Sequence, residues 1–508
     1  MTTPQRSNIL FLMTDQHRAD TLGAYGNPCS LTPALDDLAR TGTRFDRWYT
    51  PTAICTPARV SLLTGQAPFR HRVLANKERN VGYLEDLDEG TFTFVDALRG
   101  CGYNTGLVGK WHAGSQTEAR EAGFDGPGLP GSAWHNPVDA PDYLEYLAER
   151  GLPPYAISDR IRGTLPNGGP GNLLAARLHQ PLEATFEHYL ATRTIEMLET
   201  YAEDLRTGGT PFFLQLNFFG PHLPYVLPDE YFDLVDPSQV ELPRSIAETF
   251  AAKPPVQANY SAHWTFDTMP LETTRKLIAI YWGYVAMIDH EIGRVMEALQ
   301  RLGLVDDTAV VFSSDHGEFT GSHRLHDKGP AMYEDIYRTA GLLRVPGGVP
   351  GQVRQEFVSL LDCTATILEL AGLDPEPAVD SRSLVPLARG EQPEWDEDIV
   401  CEFHGHHFPY PQRMLRTDRY KLVVNPESVN ELYDLNTDPD ELLNLYTLPE
   451  MAEVRRELTA RLYRKLRDRG DNFYHWMTTM FEVGEVDHDP TQSGLDESTY
   501  GSAPAPTA

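Results

Sequence analysis

The segment Cys55-Thr56-Pro57-Ala58-Arg59, followed by Ser61-Leu62-Leu63-Thr64-Gly65, carries the densest chemical signal in the chain. Pro57 suits the first turn of a helix, where a missing N–H costs nothing, and this puts Cys55 just ahead of that helix. Free backbone N–H groups there favour negative charge, and Arg59 adds a fixed positive charge nearby. A cysteine so placed suits an anionic substrate, whereas a cysteine read alone is a small buried hydrophobe. Polar residues also recur where apolar runs stop. Asp15-Gln16 follows the run 8–13, Lys110 and His112 follow 105–109, His222 follows 211–219, and Asp315-His316 follows 308–312.

Those four runs are continuous and apolar, as expected of strands covered on both faces. Helical spacing or composition marks 33–42, a short stretch led by Leu62 and Leu63, 92–100, 186–202, 271–302 and 360–370 as the helices between them. The fold class is therefore α/β: a large, mostly parallel sheet sandwiched by helices. In open sheets of this kind ligands bind beyond the carboxyl ends of the strands, where these polar residues fall. The Gly-, Pro- and Asn-rich region 114–180 reads as surface loops around the mouth of a site. After about residue 390 the character changes. Strands at 399–402, 416–424 and 431–435 and a charged helix at 452–468 indicate a smaller antiparallel sheet subdomain. The expected division is 1–390 for a catalytic domain, 391–470 for a small α+β subdomain and 471–508 for a C-terminal extension. Aromatic residues at 473–481 would make that extension an oligomerisation arm or close the chain's own core.

With 508 residues the chain exceeds what a single core usually holds. Seventy-three acidic against 43 basic residues give a formal charge of -30, which disfavours nucleic acid and anionic membranes as partners. No apolar run approaches the ~20 residues of a membrane span, and the opening residues do not fit a signal peptide. Cys29, Cys55, Cys101, Cys363 and Cys401 are odd in number and scattered, without a CxxC pair, so reduced cysteines and a cytoplasmic location are expected.

The Cys55 segment resembles the signature of the type I sulfatases, Cys-x-Pro-x-Arg followed by Thr-Gly. The likeness extends to Asp15-Gln16, Gly109-Lys110-Trp111-His112, Gly220-Pro221-His222-Leu223-Pro224, Ser314-Asp315-His316-Gly317-Glu318, Lys328, and Leu432-Tyr433-Asp434-Leu435 with Asp438-Pro439, so it covers roughly 7–470. It implies an alkaline-phosphatase-like fold and a sulfuric ester hydrolase. It also implies that a formylglycine-generating enzyme converts Cys55 to formylglycine, whose hydrated gem-diol is the nucleophile. A gem-diol has a second hydroxyl, so a base can expel sulfate by C–O cleavage instead of a second attack at sulfur.

On the same resemblance Asp15, Gln16, Asp315 and His316, with an oxygen of modified Cys55, are candidate ligands of one divalent metal. An oxygen-rich set suits a hard cation, and His316 tilts the choice from Ca²⁺ toward Mn²⁺ without settling it. The commoner family pattern has aspartate and asparagine where this chain has Gln16 and His316. That combination is similar to choline sulfatases and to the arylsulfatase and phosphonate monoester hydrolase branch. The resemblance makes Arg59, Lys110, His112, His222 and Lys328 catalytic and Asn76 substrate-contacting. His112 is the expected base for sulfate release, with His222 and Lys328 facing the leaving oxygen. The substrate is a small sulfate ester, with phosphonate monoesters or phosphodiesters as the alternative, and a dimer or tetramer is expected. His404, His406 and His407 raise the alternative of a second metal, but their Gly and Pro surroundings and the lack of a paired carboxylate motif favour a substrate-facing loop. His17, His290, His323 and His326 read as structural or as supports behind the site residues, without a direct role.

Overall fold

The computed structural model describes residues 6–473 apart from 30, 79, 83, 130–136, 166 and 427. A nine-stranded sheet organises the chain. From edge to edge its strands are Gln352–Arg354, Thr43–Tyr49, Arg338–Arg344, Thr308–Ser314, Asn8–Asp15, Phe212–Pro221, Asn104–Lys110 and Gly128–Leu129, with Val358–Ser359 paired beside Thr43–Tyr49. The four strands from Thr308–Ser314 to Asn104–Lys110 run parallel, so their carboxyl ends emerge on one side. Arg338–Arg344 is antiparallel to both of its neighbours.

Strand Asn8–Asp15 shows why the runs are continuous and apolar. Leu10 and Leu12 point into a core shared with helices Pro33–Thr41, Phe186–Arg206 and Leu271–Arg301. Ile9, Phe11 and Met13 point into the opposite core, under helices Cys55–Thr64, Phe94–Gly100 and Asp362–Leu370. All five side chains are fully buried. Truncating any one of them to alanine costs about 2–5 kcal/mol.

A second, four-stranded antiparallel sheet contains Asp398–Gly405, Pro409–Thr417, Tyr420–Val424 and Glu431–Asp434, and helix Ala452–Arg469 packs on it. The run 416–424, read as one strand, is instead the end of one strand, a turn and the start of the next. Thr417 makes that turn, exchanging hydrogen bonds with Tyr420 through its hydroxyl without any glycine. The region 114–180 also differs from a set of loops. It contains helix Pro141–Arg150, opened by a proline, and strands Ile157–Thr164 and Pro170–Leu178, which join Tyr225–Pro228 in a three-stranded sheet. The aromatic run that begins at Phe473 lies outside the described residues from 474 onward. Among the described residues no helix is long and apolar enough to cross a membrane.

Candidate active site

The helix that carries Cys55 begins two residues earlier than its proline suggests. Cys55 is the first residue of Cys55–Thr64, Pro57 the third, and all ten residues are buried. Pro57 is tolerated there because first-turn N–H groups have no intrahelical acceptor. The Thr56 N–H, another of these orphans, donates to Asn76 Oδ1 at 3.0 Å. The Asn76 side chain thus anchors the start of the helix.

Parallel strands deliver the remaining groups. Thr14 pairs with Ser314, so Asp15 and Asp315 emerge side by side. Arg59 bridges them: Nη2 lies 3.0 Å from Asp15 Oδ2, and Nε donates to Asp315 Oδ2 at 2.9 Å. Lys110 at the end of Asn104–Lys110 also pairs with Asp15. Lys328 Nζ donates to Gln16 Oε1 at 2.9 Å, pairs with Asp327 at 3.1 Å and lies 3.2 Å from His222 Nε2. Cys55 Sγ lies 3.2 Å from His316 Nε2 and 3.8 Å from Asp15 Oδ1. Gln16 and His112 sit at φ 63 and φ 48, a backbone region that costs a non-glycine residue about 1–3 kcal/mol and that clusters at functional sites.

Charge decides the protonation states. Burial alone would raise the Cys55 thiol, but Lys110, Lys328 and His316 outweigh it and hold the group well below its ordinary value. Asp15 is also held below the usual range, since Lys110, His222 and Arg59 overcome burial and the Cys55 charge. Burial and the neighbouring Asp15 push Asp315 up. His316, opposed by burial but favoured by Asp315 and Cys55, rises to about 9. Burial and Lys110 push His112 down to about 4.

The donor set fits a divalent cation. Asp15, Cys55, Asp315 and His316 are all buried and bring one ligand atom each within 4.8 Å of one another. His316 Nδ1 lies 2.8 Å from the Gly317 carbonyl, which can only accept, so Nδ1 carries a proton and Nε2 is the atom turned to the cluster. Cation and proton would compete for that Nε2 lone pair. Gln16, expected as a further ligand, has its side-chain amide engaged, the oxygen by Lys328 and the nitrogen by Glu318.

All the residues singled out in the sequence therefore converge, Asn76 by way of Thr56 N. Two supporting contacts had no role assigned from the sequence. Glu318 takes the Gln16 amide and the backbone N–H of Thr320, orienting Gln16 from behind. Asn217 donates to the Lys110 carbonyl at 2.7 Å and accepts from Gln215 at 3.0 Å. The signal for that pair was present: Gln215 and Asn217 are polar at alternate positions of an otherwise apolar strand.

The sulfatase family profile matches residues 7–373, and the profile described as N-sulphoglucosamine sulphohydrolase, C-terminal, matches 321–468. The chain belongs to the sulfatase family, a family of sulfuric ester hydrolases. It is 29% identical over 492 residues to the uncharacterized sulfatase YidJ of Escherichia coli (strain K12), covering 93% of this chain and 90% of that one. It is 28% identical over 495 residues to the choline-sulfatase of Rhizobium meliloti (strain 1021), covering 95% and 89%. The crystal structure of the phosphonate monoester hydrolase of Agrobacterium radiobacter superposes with a TM-score of 0.76 at 26% identity, covering 91% of this chain and 96% of that one.

Proposed function

We propose that this chain hydrolyses sulfate monoesters with residue 55 as the nucleophile, after oxidation of Cys55 to formylglycine by a formylglycine-generating enzyme. The supporting observation is the convergence on Cys55, at a buried helix start, of Lys110, Lys328, Arg59 and the paired carboxylates. Formylglycine would supply a hydrated aldehyde as nucleophile, and a divalent ion held by Asp15, Gln16, residue 55, Asp315 and His316, Ca²⁺ or Mn²⁺, would supply Lewis acidity. The chain's own side chains do the rest. Arg59 keeps the two aspartates together. Lys110 and Lys328 present positive charge to the nonbridging oxygens of the ester. Lys328 is held well above its ordinary value by Asp327 and the Cys55 charge in spite of burial, so it stays charged and leaves proton delivery to His222. His112 is neutral near pH 7, and its buried Nδ1 has no partner, which suits a base that takes the proton as sulfate departs. Asn76 holds the nucleophile helix in place and contacts substrate.

The fold likeness to a phosphonate monoester hydrolase favours a second reading, in which the same nucleophile works on phosphonate monoesters or phosphodiesters. Lys110 and His112 weigh against it as the main activity, because a full positive charge and a ring base at these positions suit release of sulfate from the nucleophile. The test compares an aryl sulfate, an aryl phenylphosphonate and a bis-aryl phosphate with one leaving group on converted, metal-loaded enzyme. The expected result is the highest kcat/KM on the sulfate with measurable side activity; a higher value on the phosphonate overturns the substrate assignment. Conversion itself reads as a loss of about 18 Da on the peptide carrying residue 55.

The division near residue 390 and an oligomerisation arm beyond 471, giving a dimer or tetramer, are part of the same proposal. Light scattering on the full chain and on one ended at Asp471 tests the arm, and equal monomeric masses refute it. All five cysteines are free, which supports a reducing, cytoplasmic compartment.

A further inference from the structure

A second group of metal-ligating side chains converges outside the buried centre. Glu78, His406 and His407 bring a carboxylate oxygen and two ring nitrogens within 4.8 Å of one another. They come from two loops far apart in sequence, which explains why no carboxylate motif accompanies the histidines. Asn80 ties the loops together by donating its side-chain amide to the His407 carbonyl at 3.2 Å. Gly405 makes the turn ahead of the histidines at φ 146, where a Cβ would meet the Phe408 carbonyl oxygen at 2.2 Å, so only glycine fits.

The inner ligand is oriented by a hydrogen-bond chain from the active site. The Tyr260 hydroxyl donates to the Lys328 carbonyl at 3.0 Å, leaving its oxygen to accept from His406 Nδ1 at 3.4 Å. That order puts the proton on Nδ1 and frees the Nε2 lone pair, the usual arrangement behind a metal-bound imidazole. His407 stacks on His406 with ring centroids 3.9 Å apart, and its Nδ1 lies 3.6 Å from Glu78 Oε1. His406 is buried, whereas the His407 side chain is 45% exposed, so the group spans the distance from the Lys328 end of the centre to solvent. Burial lowers His406 to about 3 and lowers His407 as well, against the pull of Glu78, so both rings are neutral ligands at neutral pH.

The geometry points to a second metal site, in which Glu78, His406 and His407 bind a divalent transition ion of the Zn²⁺ class at the rim of the catalytic centre. Two imidazoles and one carboxylate leave a fourth position open, as in a three-ligand zinc site. Tetrahedral zinc needs ligand atoms about 3.4 Å apart, so the group must close by about 1 Å, a movement within reach of the exposed His407 side chain. The two sites would sort cations by hardness, the oxygen-rich interior taking Ca²⁺ or Mn²⁺ and the imidazole pair taking Zn²⁺. None of this depends on which ester the chain hydrolyses.

Calorimetric titration of ZnCl₂ into the Ca²⁺-saturated full chain tests the site. One Zn²⁺ event is expected, weakened at least about tenfold by His407→Ala and by Glu78→Gln and retained in Asp315→Asn. An event unchanged in His407→Ala and Glu78→Gln, or one lost in a folded Asp315→Asn variant, overturns the proposal. A second measurement covers the case in which Asp315→Asn does not fold. Co²⁺ added to the Ca²⁺-saturated parent should give the visible absorption of an imidazole-bound ion, and His407→Ala should remove it. Bands that persist unchanged in His407→Ala overturn the site.

Discussion

Two buried clusters of charge sit in this chain, and they differ in what they leave unmatched. Beside the small sheet, fully buried Lys421 lies 2.8 Å from Glu334 and 2.6 Å from Glu441, and its ammonium also donates to the Met332 carbonyl at 3.1 Å. Nearby, Glu248 pairs with Lys253 and accepts from His323 Nδ1 at 2.9 Å, while Lys253 also donates to the Glu441 carbonyl at 2.6 Å. Each ammonium there faces acceptors from its own chain. The candidate catalytic cluster is built from the same residue types, yet four of its ligand atoms, from Asp15, Cys55, Asp315 and His316, converge on one space. In the first cluster the ammonium groups and carboxylates pair off with one another, whereas in the second the carboxylates, thiol and imidazole face one another in the arrangement that the proposed metal would use.

The comparison can be broken at either cluster. The largest effect is expected from Cys55→Ala, which removes the proposed nucleophile and should lower kcat on an aryl sulfate by at least about 10⁴-fold, with circular dichroism unchanged. A wild-type rate in that variant would end the covalent reading. Lys421→Met leaves two buried carboxylates facing each other and should cost about 3–5 kcal/mol in urea unfolding, while activity per folded molecule stays near that of the parent. Lys110→Ala should do the reverse. Arg59 still holds Asp15, so stability should fall less than for Lys421→Met, while kcat drops about 10²–10³-fold. If Lys110→Ala destabilised more than Lys421→Met, the contrast between the clusters would fail.

The smallest effect is one of pH. Burial opposes ionisation of Glu248, but the His323 hydrogen bond and Lys253 hold its carboxyl at about 2, below the ordinary 4.5. A depressed carboxylate contributes stability that is complete above about pH 4.5 and disappears as pH falls toward 2. Glu248→Gln should therefore flatten the dependence of Tm on pH within that window. A slope identical to the parent's would show that the pair contributes nothing there.

Much of the convergence at the candidate site was legible because a parallel sheet converts sequence order into spatial order. Once the runs ending at Asp15, Lys110, His222 and Asp315 are read as parallel strands, their terminal polar residues must meet. Partners that act from the side were harder to see. Glu318 was noticed only as part of a motif, since nothing in its own spacing says that it holds Gln16. The carboxylate beside His406 and His407 lies more than three hundred residues earlier, at Glu78, where no local pattern can announce it. Composition misled over 114–180, because Pro141 opens a helix there as readily as proline interrupts one. At 417–420 no glycine or proline marked the turn, so two strands read as one.

The central position of Asn8–Asp15 also sets a timetable. This strand is made first among its neighbours, and its partner Thr308–Ser314 follows about three hundred residues later. At ribosomal speeds of about 5–20 residues per second that interval lasts roughly 15–60 s, during which the strand lacks the neighbour that brings Asp315 and His316. The segment around Cys55 would be within reach of the proposed formylglycine-generating enzyme during that wait. In the finished fold the same cysteine is 1% exposed. Under the proposed conversion of Cys55, biosynthetic order would give the modification its opportunity, and completion of the sheet would close it.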